Sequence, residues 1–321
     1  MPDRVLVTGA TGFVGSHVAE AFVRAGYQVR VGARASSDRR WISGLDAERV
    51  SLDLNGRPKG FLRALQGVDI VVHAAGITRV RRPEDYHAVN AEGTGRLAEA
   101  AVRAGVRRLV LISSLAARGP DASGCPESAY GRSKLEAEER LLALGDRIEG
   151  VILRPAAVYG PRDTDLLPLF KMARVGWLPV PSGGQPLQPV YAEDVARAAL
   201  AAAREPAGFG PFSVAESRRY AWTDVVVALG RVFGHGVRAV RLPAPAFVLA
   251  GRATEWAARP SSAVPLFDER RARDVALNAW TCDVSGTERA LGWRAEVPLS
   301  EGLERTARWY AKAGWLGIKT P

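Results

Sequence analysis

The sequence is short of sulfur. Among 321 residues there are two cysteines, Cys125 and Cys282, and two methionines. Two distant thiols form neither a disulfide framework nor a metal-ligand spacing, which excludes a small stapled scaffold and a zinc module. Histidine is equally sparse, and His17, His73, His87 and His235 make no ligand cluster, so no metal is expected. No apolar run approaches the roughly 18–20 residues that span a bilayer. Met1-Pro2-Asp3-Arg4 runs straight into an apolar stretch without the layout of a secretory leader, so a cytoplasmic protein is expected. Lysine is scarce too. Lys59, Lys134, Lys171, Lys312 and Lys319 are its only occurrences, so arginine carries most of the positive charge behind the formal net of +10. The arginines are dispersed rather than gathered in one segment, and no nucleic-acid-binding signature accompanies them.

What the chain does have is an alternation of short apolar runs with helical patterns. Arg4-Val5-Leu6-Val7-Thr8, Gln28 to Ala33, Val50-Ser51-Leu52, Asp69 to His73, Arg108 to Ile112 and Val151-Ile152-Leu153 read as strands. Phe13 to Ala25 reads as a helix ended by Gly26, and another is expected from Pro83 toward Ala104, with a break on the way. Strands that are apolar throughout and separated by helices indicate an α/β fold, a doubly wound parallel sheet of Rossmann type. After about Tyr159 proline and glycine become frequent. A helix at Glu193–Arg204 and a strand near Phe212-Ser213-Val214 are expected to return to the sheet. The organisation expected is a dinucleotide-binding domain over 1–165, rejoined by 187–215. A smaller, mostly helical substrate lobe takes 166–186 and 216–321.

Two patterns carry chemistry. Thr8-Gly9-Ala10-Thr11-Gly12-Phe13-Val14-Gly15 links the first strand to the first helix. Gly9 permits the tight turn, Gly12 lets backbone approach a pyrophosphate, and Gly15 lets helix and strand pack closely. The helix end offers free N–H groups to phosphate. Further on, Tyr130 and Lys134 stand four apart and share one face of a helix. A free phenol is a poor base near neutrality, with a pKa of about 10. A neighbouring ammonium lowers that value, so that Tyr130 can exchange a proton with a carbonyl or alcohol oxygen.

Together with Asp53-Leu54, His73-Ala74-Ala75-Gly76, Asn90 with Gly93-Thr94, Ile112-Ser113-Ser114, and Arg154-Pro155 with Val158-Tyr159-Gly160-Pro161, these patterns occur in order along most of the chain. The sequence resembles the extended short-chain dehydrogenase/reductase family, the NAD(P)-dependent epimerases and dehydratases. The resemblance implies that Asp53 bonds the adenine amine and that Leu54, Ala74 and Ala75 wall the adenosine half. Asn90 would support the helix behind the site, and Pro155 and Val158 would lie at the nicotinamide carboxamide. Lys134 would also bond the nicotinamide ribose. Ser114 would bond the substrate oxygen, with Ser113 as the rival. Dimerisation through a helix pair is common in such proteins.

NAD-using relatives end the second strand with an acidic residue. Here the stretch is Gly32-Ala33-Arg34-Ala35-Ser36-Ser37, and Arg34, helped by Ser36, Ser37 or Arg39, is suited to a 2′-phosphate. NADP(H) is therefore expected over NAD(H). The segment after the second strand resembles the dihydroflavonol reductase and 3β-hydroxysteroid dehydrogenase-like branch. Gln185 to Val195 lacks the arginine that nucleotide-sugar enzymes of the family use for a diphosphate. Apolar segments Leu166–Phe170, Trp177–Val180 and Pro245–Leu249 could wall a pocket for a hydrophobic ketone, or simply form lobe core. Arg79, Arg81 and Arg82 stand near the expected mouth and suit an anionic group. The expected activity is NADPH-dependent reduction of a ketone, or oxidation of the matching alcohol, on a fairly hydrophobic or acyl-type small molecule. A nucleotide-sugar epimerase or dehydratase is the alternative. A non-catalytic NADP(H)-binding sensor or assembly protein is another, although such relatives usually lack the Tyr or the Lys.

Overall fold

A computed structural model describes residues 2–56, 58–120, 125–204, 208–258, 265, 267–277 and 279–317. The apolar runs form strands β1 (Arg4–Thr8), β2 (Gln28–Ala33), β3 (Glu48–Ser51), β4 (Ile70–His73), β5 (Arg108–Ile112) and β6 (Glu149–Pro155). With Phe212–Val214 they build one seven-stranded sheet in the order β3-β2-β1-β4-β5-β6, closed by Phe212–Val214 beyond β6. Every pairing is parallel. The order reverses between β1 and β4, so a crevice opens there at the carboxyl ends of the strands.

The strands are apolar on both sides because both sides are covered. Val5, Val7, Val72 and Val110 pack with Val18 and Phe22 of helix Phe13–Arg24 and with Val195 and Ala199 of helix Ala192–Arg204. The alternating Leu6, Val71, Leu109 and Leu111 point the other way, against Phe61, Leu97 and Leu141 of helices Pro58–Leu65, Gly93–Arg103 and Ala129–Leu142. The expected break in the helix that follows β4 is a π-helical turn, His87–Glu92, between Glu84–Tyr86 and Gly93–Arg103.

The C-terminal part is largely helical, around a core of Tyr159, Phe170, Leu178, Leu229, Leu303 and Tyr310. It also holds two parallel strand pairs that the sequence did not announce. Trp177–Pro181 pairs with Arg238–Leu242, and Val158–Tyr159 with Val190–Tyr191. Pro179 and Pro181 break the usual strand signature, and a two-stranded pair tolerates them because each strand is an edge.

Two buried arginines tie helices to the sheet at the end away from the crevice. Arg30 donates to Glu48 and to the carbonyls of Ala64 and Gln66. Arg108 donates to Glu149 and to the carbonyls of Ala202 and Ala203, where helix Ala192–Arg204 ends. A guanidinium at a helix C-terminus satisfies carbonyls that the helix itself cannot. Arg108→Ala should lower the unfolding free energy by about 2–4 kcal/mol. Arg108→Lys, which lacks the planar fork, should recover only part of it. Urea unfolding with an unchanged midpoint in Arg108→Ala would show that the contact contributes nothing.

Candidate functional site

A cleft of about 1200 Å³ follows the carboxyl ends of the strands and extends between sheet and lobe. Its first wall is the glycine turn. Gly9 has φ +72°, and a Cβ there would stand 2.6 Å from the Ala75 backbone nitrogen. A Cβ on Gly15 would stand 2.2 Å from the Gly9 carbonyl oxygen, so no other residue lets the helix start this close to β1. Helix Phe13–Arg24 begins without a side-chain cap and without an acidic residue in its first turn. Its unpaired N–H groups and positive dipole end therefore remain available at the cleft. This cradle fits the diphosphate of a dinucleotide.

Behind the turn runs a chain of buried hydrogen bonds. The Thr94 hydroxyl donates to the Asn90 carbonyl at 2.6 Å, so it accepts from His73 Nε2 at 2.9 Å. His73 Nδ1 then accepts from the Thr8 hydroxyl at 2.6 Å, which itself accepts from Ala75 N at 3.3 Å. The ring is the neutral Nε2–H tautomer. Burial, with the Lys134 charge adding to it, lowers the His73 pKa to about 3. Asn90 continues the chain from the π-helical turn. Its amide accepts from Ile77 N at 2.8 Å and donates to Ile77 O and to the Ser133 hydroxyl, both at 3.0 Å.

Helix Ala129–Leu142 carries Tyr130 and Lys134, and Ser128 caps it by accepting from Gly131 N at 2.9 Å. Both side chains line the cleft, as does Ser114 after the end of β5. Ser114 lies beside the Tyr130 phenol and favours its charged form. Ser113 instead donates to the buried Glu138, which also holds Arg154. The Ser114 oxygen accepts from Ala116 N at 3.2 Å, which leaves its hydroxyl proton for a partner beside Tyr130. Lys134 donates to the Ile112 carbonyl at 2.8 Å, and burial lowers its pKa to about 8 against the opposing effect of Glu138. The expected lowering of the phenol is not found. The Lys134 ammonium is engaged by Ile112, and burial raises Tyr130 more than its contact with Ser114 and the nearby Arg270 lower it.

The cleft gathers every residue that the sequence singled out for dinucleotide and catalysis: Gly9, Thr11, Gly12, Phe13, Val14, Gly15, Arg34, Asp53, Leu54, Ala74, Ala75, Asn90, Ser114, Tyr130, Lys134, Pro155 and Val158. Arg34 is exposed at the rim with Ser37 next to it, whereas Ser36 and Arg39 are not among the lining residues. Of the three arginines after β4, Arg79 lines the cleft, 3.6 Å from Asp165. Arg81 and Arg82 do not line it, and Arg82 pairs with Asp85 at 3.2 Å. Sequence reasoning missed the contribution of helix Glu269–Leu277. It brings Arg270, Arg271 and Asp274 to the cleft, with the Arg270 guanidinium 6.0 Å from the Tyr130 ring centre. It also missed Asp163, a buried lining residue with one carboxyl oxygen lacking a hydrogen-bond partner among the described residues. No local pattern marks either.

The buried histidines make stability depend on pH. His17 Nε2 donates to the Pro161 carbonyl, 3.0 Å away, and burial lowers its pKa to about 4. Both histidines are neutral in the folded state, and the unfolded chain takes up their protons first. Their contribution is complete above pH 6.5 and is lost as pH falls toward about 4 for His17 and about 3 for His73. Each adds a slope of up to about 1.4 kcal/mol per pH unit in that window. Unfolding titrations at stepped pH should show this slope, and His73→Gln should flatten it. Stability independent of pH below 6.5 would contradict the assignment.

Comparison with known proteins places this geometry. A model of the NAD dependent epimerase/dehydratase family matches residues 5–215. The ceramide reductase of Caulobacter vibrioides is 34% identical over 315 residues, covering 97% of this chain and 96% of that protein. The UDP-glucose 4-epimerase of Vibrio cholerae is 27% identical over 337 residues, covering 98% and 97%. Among solved structures, MoeE5 in complex with UDP-glucuronic acid and NAD matches with a TM-score of 0.75 at 25% identity, covering 97% of this chain and 99% of that one. The family match takes in the whole main sheet, and the chain belongs to the NAD-dependent epimerase/dehydratase family, the extended short-chain dehydrogenase/reductases, as an NAD(P)-dependent enzyme.

Proposed function

We propose that this enzyme reduces a ketone on an apolar, lipid-like small molecule with NADPH, or oxidises the matching secondary alcohol. The observation that carries the reading is the Ser114–Tyr130 contact at the base of a cleft whose lobe side is apolar. Leu166, Leu169, Leu187, Val225, Leu229 and Phe247 form much of that side. These walls favour a hydrocarbon portion of the substrate, while Arg79, Asp163, Arg270, Arg271 and Asp274 form a polar portion of the same cleft. The likeness to a ceramide reductase points the same way. The stretch Gln185–Val195 enters the cleft through Gln185, Leu187, Gln188 and Pro189 and holds no arginine for a nucleotide diphosphate. Gln188 is already committed to Cys282 N and to the Glu216 carbonyl, both at 2.8 Å.

The bound nicotinamide would supply or accept the hydride. In this reading Gly9 to Gly15 hold the diphosphate, Asp53 and the Leu54, Ala74 and Ala75 wall take the adenosine, and Arg34 with Ser37 takes a 2′-phosphate. Pro155 and Val158 flank the nicotinamide end. Ser114 orients the substrate oxygen, and Tyr130 gives it a proton in reduction or removes one in oxidation. Lys134, one turn further along the helix and held on the Ile112 carbonyl, supplies the positive charge for the phenolate that remains. Asn90 positions this helix through Ser133, which donates to the Tyr130 carbonyl at 2.8 Å.

Loss of NADPH absorbance, followed with a panel of ketosteroids, long-chain β-keto amides, β-keto acids and aryl ketones, tests the reading. Tyr130→Phe should cut turnover on any accepted ketone by roughly 10²-fold or more. Arg34→Glu should reduce kcat/KM with NADPH at least roughly 10-fold more than with NADH. Ketone turnover that survives Tyr130→Phe, or conversion of a nucleotide sugar without net NADPH loss, would overturn it.

A further inference from the structure

Among the described residues, the two most exposed large apolar side chains are Trp256, 71% exposed, and Leu249, 69% exposed. Both belong to helix Ala244–Ala258. They stand seven apart, two turns along one face, and the exposed Ala253 falls between them. Ala250, about 100° round the helix from Leu249, lines the cleft, as does Phe247 on the nearly opposite, buried face, at the end where Leu242, Phe267 and Val275 also line it. The exposed stripe thus adjoins the apolar end of the substrate side through Ala250.

Basic side chains accompany the stripe. Among the described residues of 238–277 there are six arginines against four acidic residues, within a chain of formal net charge +10. Arg252 and Arg273, each more than half exposed, share a single carboxylate, Glu269, at 2.7 and 2.8 Å. Arg238 and Arg241 are exposed on the strand that leads into the helix. An apolar stripe with a tryptophan, edged by arginines, matches an interface of acyl chains below and anionic headgroups above. Tryptophan suits that depth because its ring is apolar and its N–H remains able to bond at headgroup level. No helix among the described residues is long and apolar enough to cross a membrane, so contact of this kind is peripheral.

We propose that helix Ala244–Ala258 docks on an anionic phospholipid surface through Leu249, Ala253 and Trp256, and that the cleft draws its substrate from that surface. The second half rests on the reading of the cleft as a site for an apolar ketone. A substrate that fills those walls is poorly soluble in water, and a mouth opening beside the bilayer removes the need for it to cross bulk solvent. Arginine attraction brings the helix to the surface, and the two large side chains then partition into it.

Flotation of the full chain, saturated with NADPH, with phosphatidylglycerol vesicles and with phosphatidylcholine vesicles provides the test. Binding to phosphatidylglycerol is expected, weakened by salt and weaker with phosphatidylcholine. The double substitution Leu249→Ser with Trp256→Ser should reduce it roughly 10-fold or more. The same variant should melt as the parent does, because neither side chain is packed. It should keep its turnover on a water-soluble ketone while losing turnover on a ketone embedded in vesicles. Tyr130→Phe should float as the parent does, so a failed ketone assay and a failed docking helix give different results. Absent vesicle binding, or binding that survives the double substitution, would overturn the proposal. So would a dimer in the parent that the double substitution converts to a monomer, since the stripe would then be covered by a second copy.

Discussion

His73 is completely buried between two threonine hydroxyls, and the site is aligned through it. Its ring joins Thr8, at the end of β1, to Thr94, on the helix that follows the π-helical turn. Thr8 in turn holds the Ala75 backbone, which sits against Gly9. Asn90 carries the connection to Ser133, on the turn of helix that bears Tyr130. A single neutral imidazole therefore fixes the distance between the glycine turn and the catalytic helix. Neutral groups suit this position. Each ring nitrogen has one partner and each hydroxyl both donates and accepts, so no charge is desolvated and no buried donor is orphaned. A protonated ring would have two donors where Thr8 also donates, and the chain would break at Nδ1.

A second buried arrangement does use charge. Glu138 accepts from Ser113 and pairs with Arg154, itself mostly buried. An isolated carboxylate there would be costly, and the forked guanidinium compensates it. The result is positional. Ser113 is held toward Glu138, and the chain then delivers Ser114 to the cleft beside Tyr130. Glu138 also lies one helical turn beyond Lys134 and opposes the loss of its proton.

Much of this was readable before any coordinates. β1, β5 and the strand Phe212–Val214 fall where apolar runs predict them, and the glycine turn and the Tyr130–Lys134 spacing mark the two ends of the cleft. These features are local, so local sequence reports them. The π-helical turn announced itself only as a break. The strands Trp177–Pro181 and Arg238–Leu242 were hidden by proline and by weak alternation. Arg270 and Asp163 reach the cleft through lobe packing between segments a hundred residues apart, which no spacing encodes. The protonation of Tyr130 likewise depends on what surrounds the ring in space, where burial outweighs Ser114, Arg270 and Arg271.

Arg30 and Arg108 bear on how such a molecule can change over evolutionary time. Each clamps the end of a helix to the sheet on the side remote from the cleft, one on either flank of β1 and β4. Anchorage and chemistry are thus carried by opposite ends of the same strands. Substitutions along the rim leave the clamps untouched, whereas loss of either guanidinium releases a helix end from the sheet. A chain with this division can exchange its substrate walls piecemeal without disturbing the contacts that hold its frame.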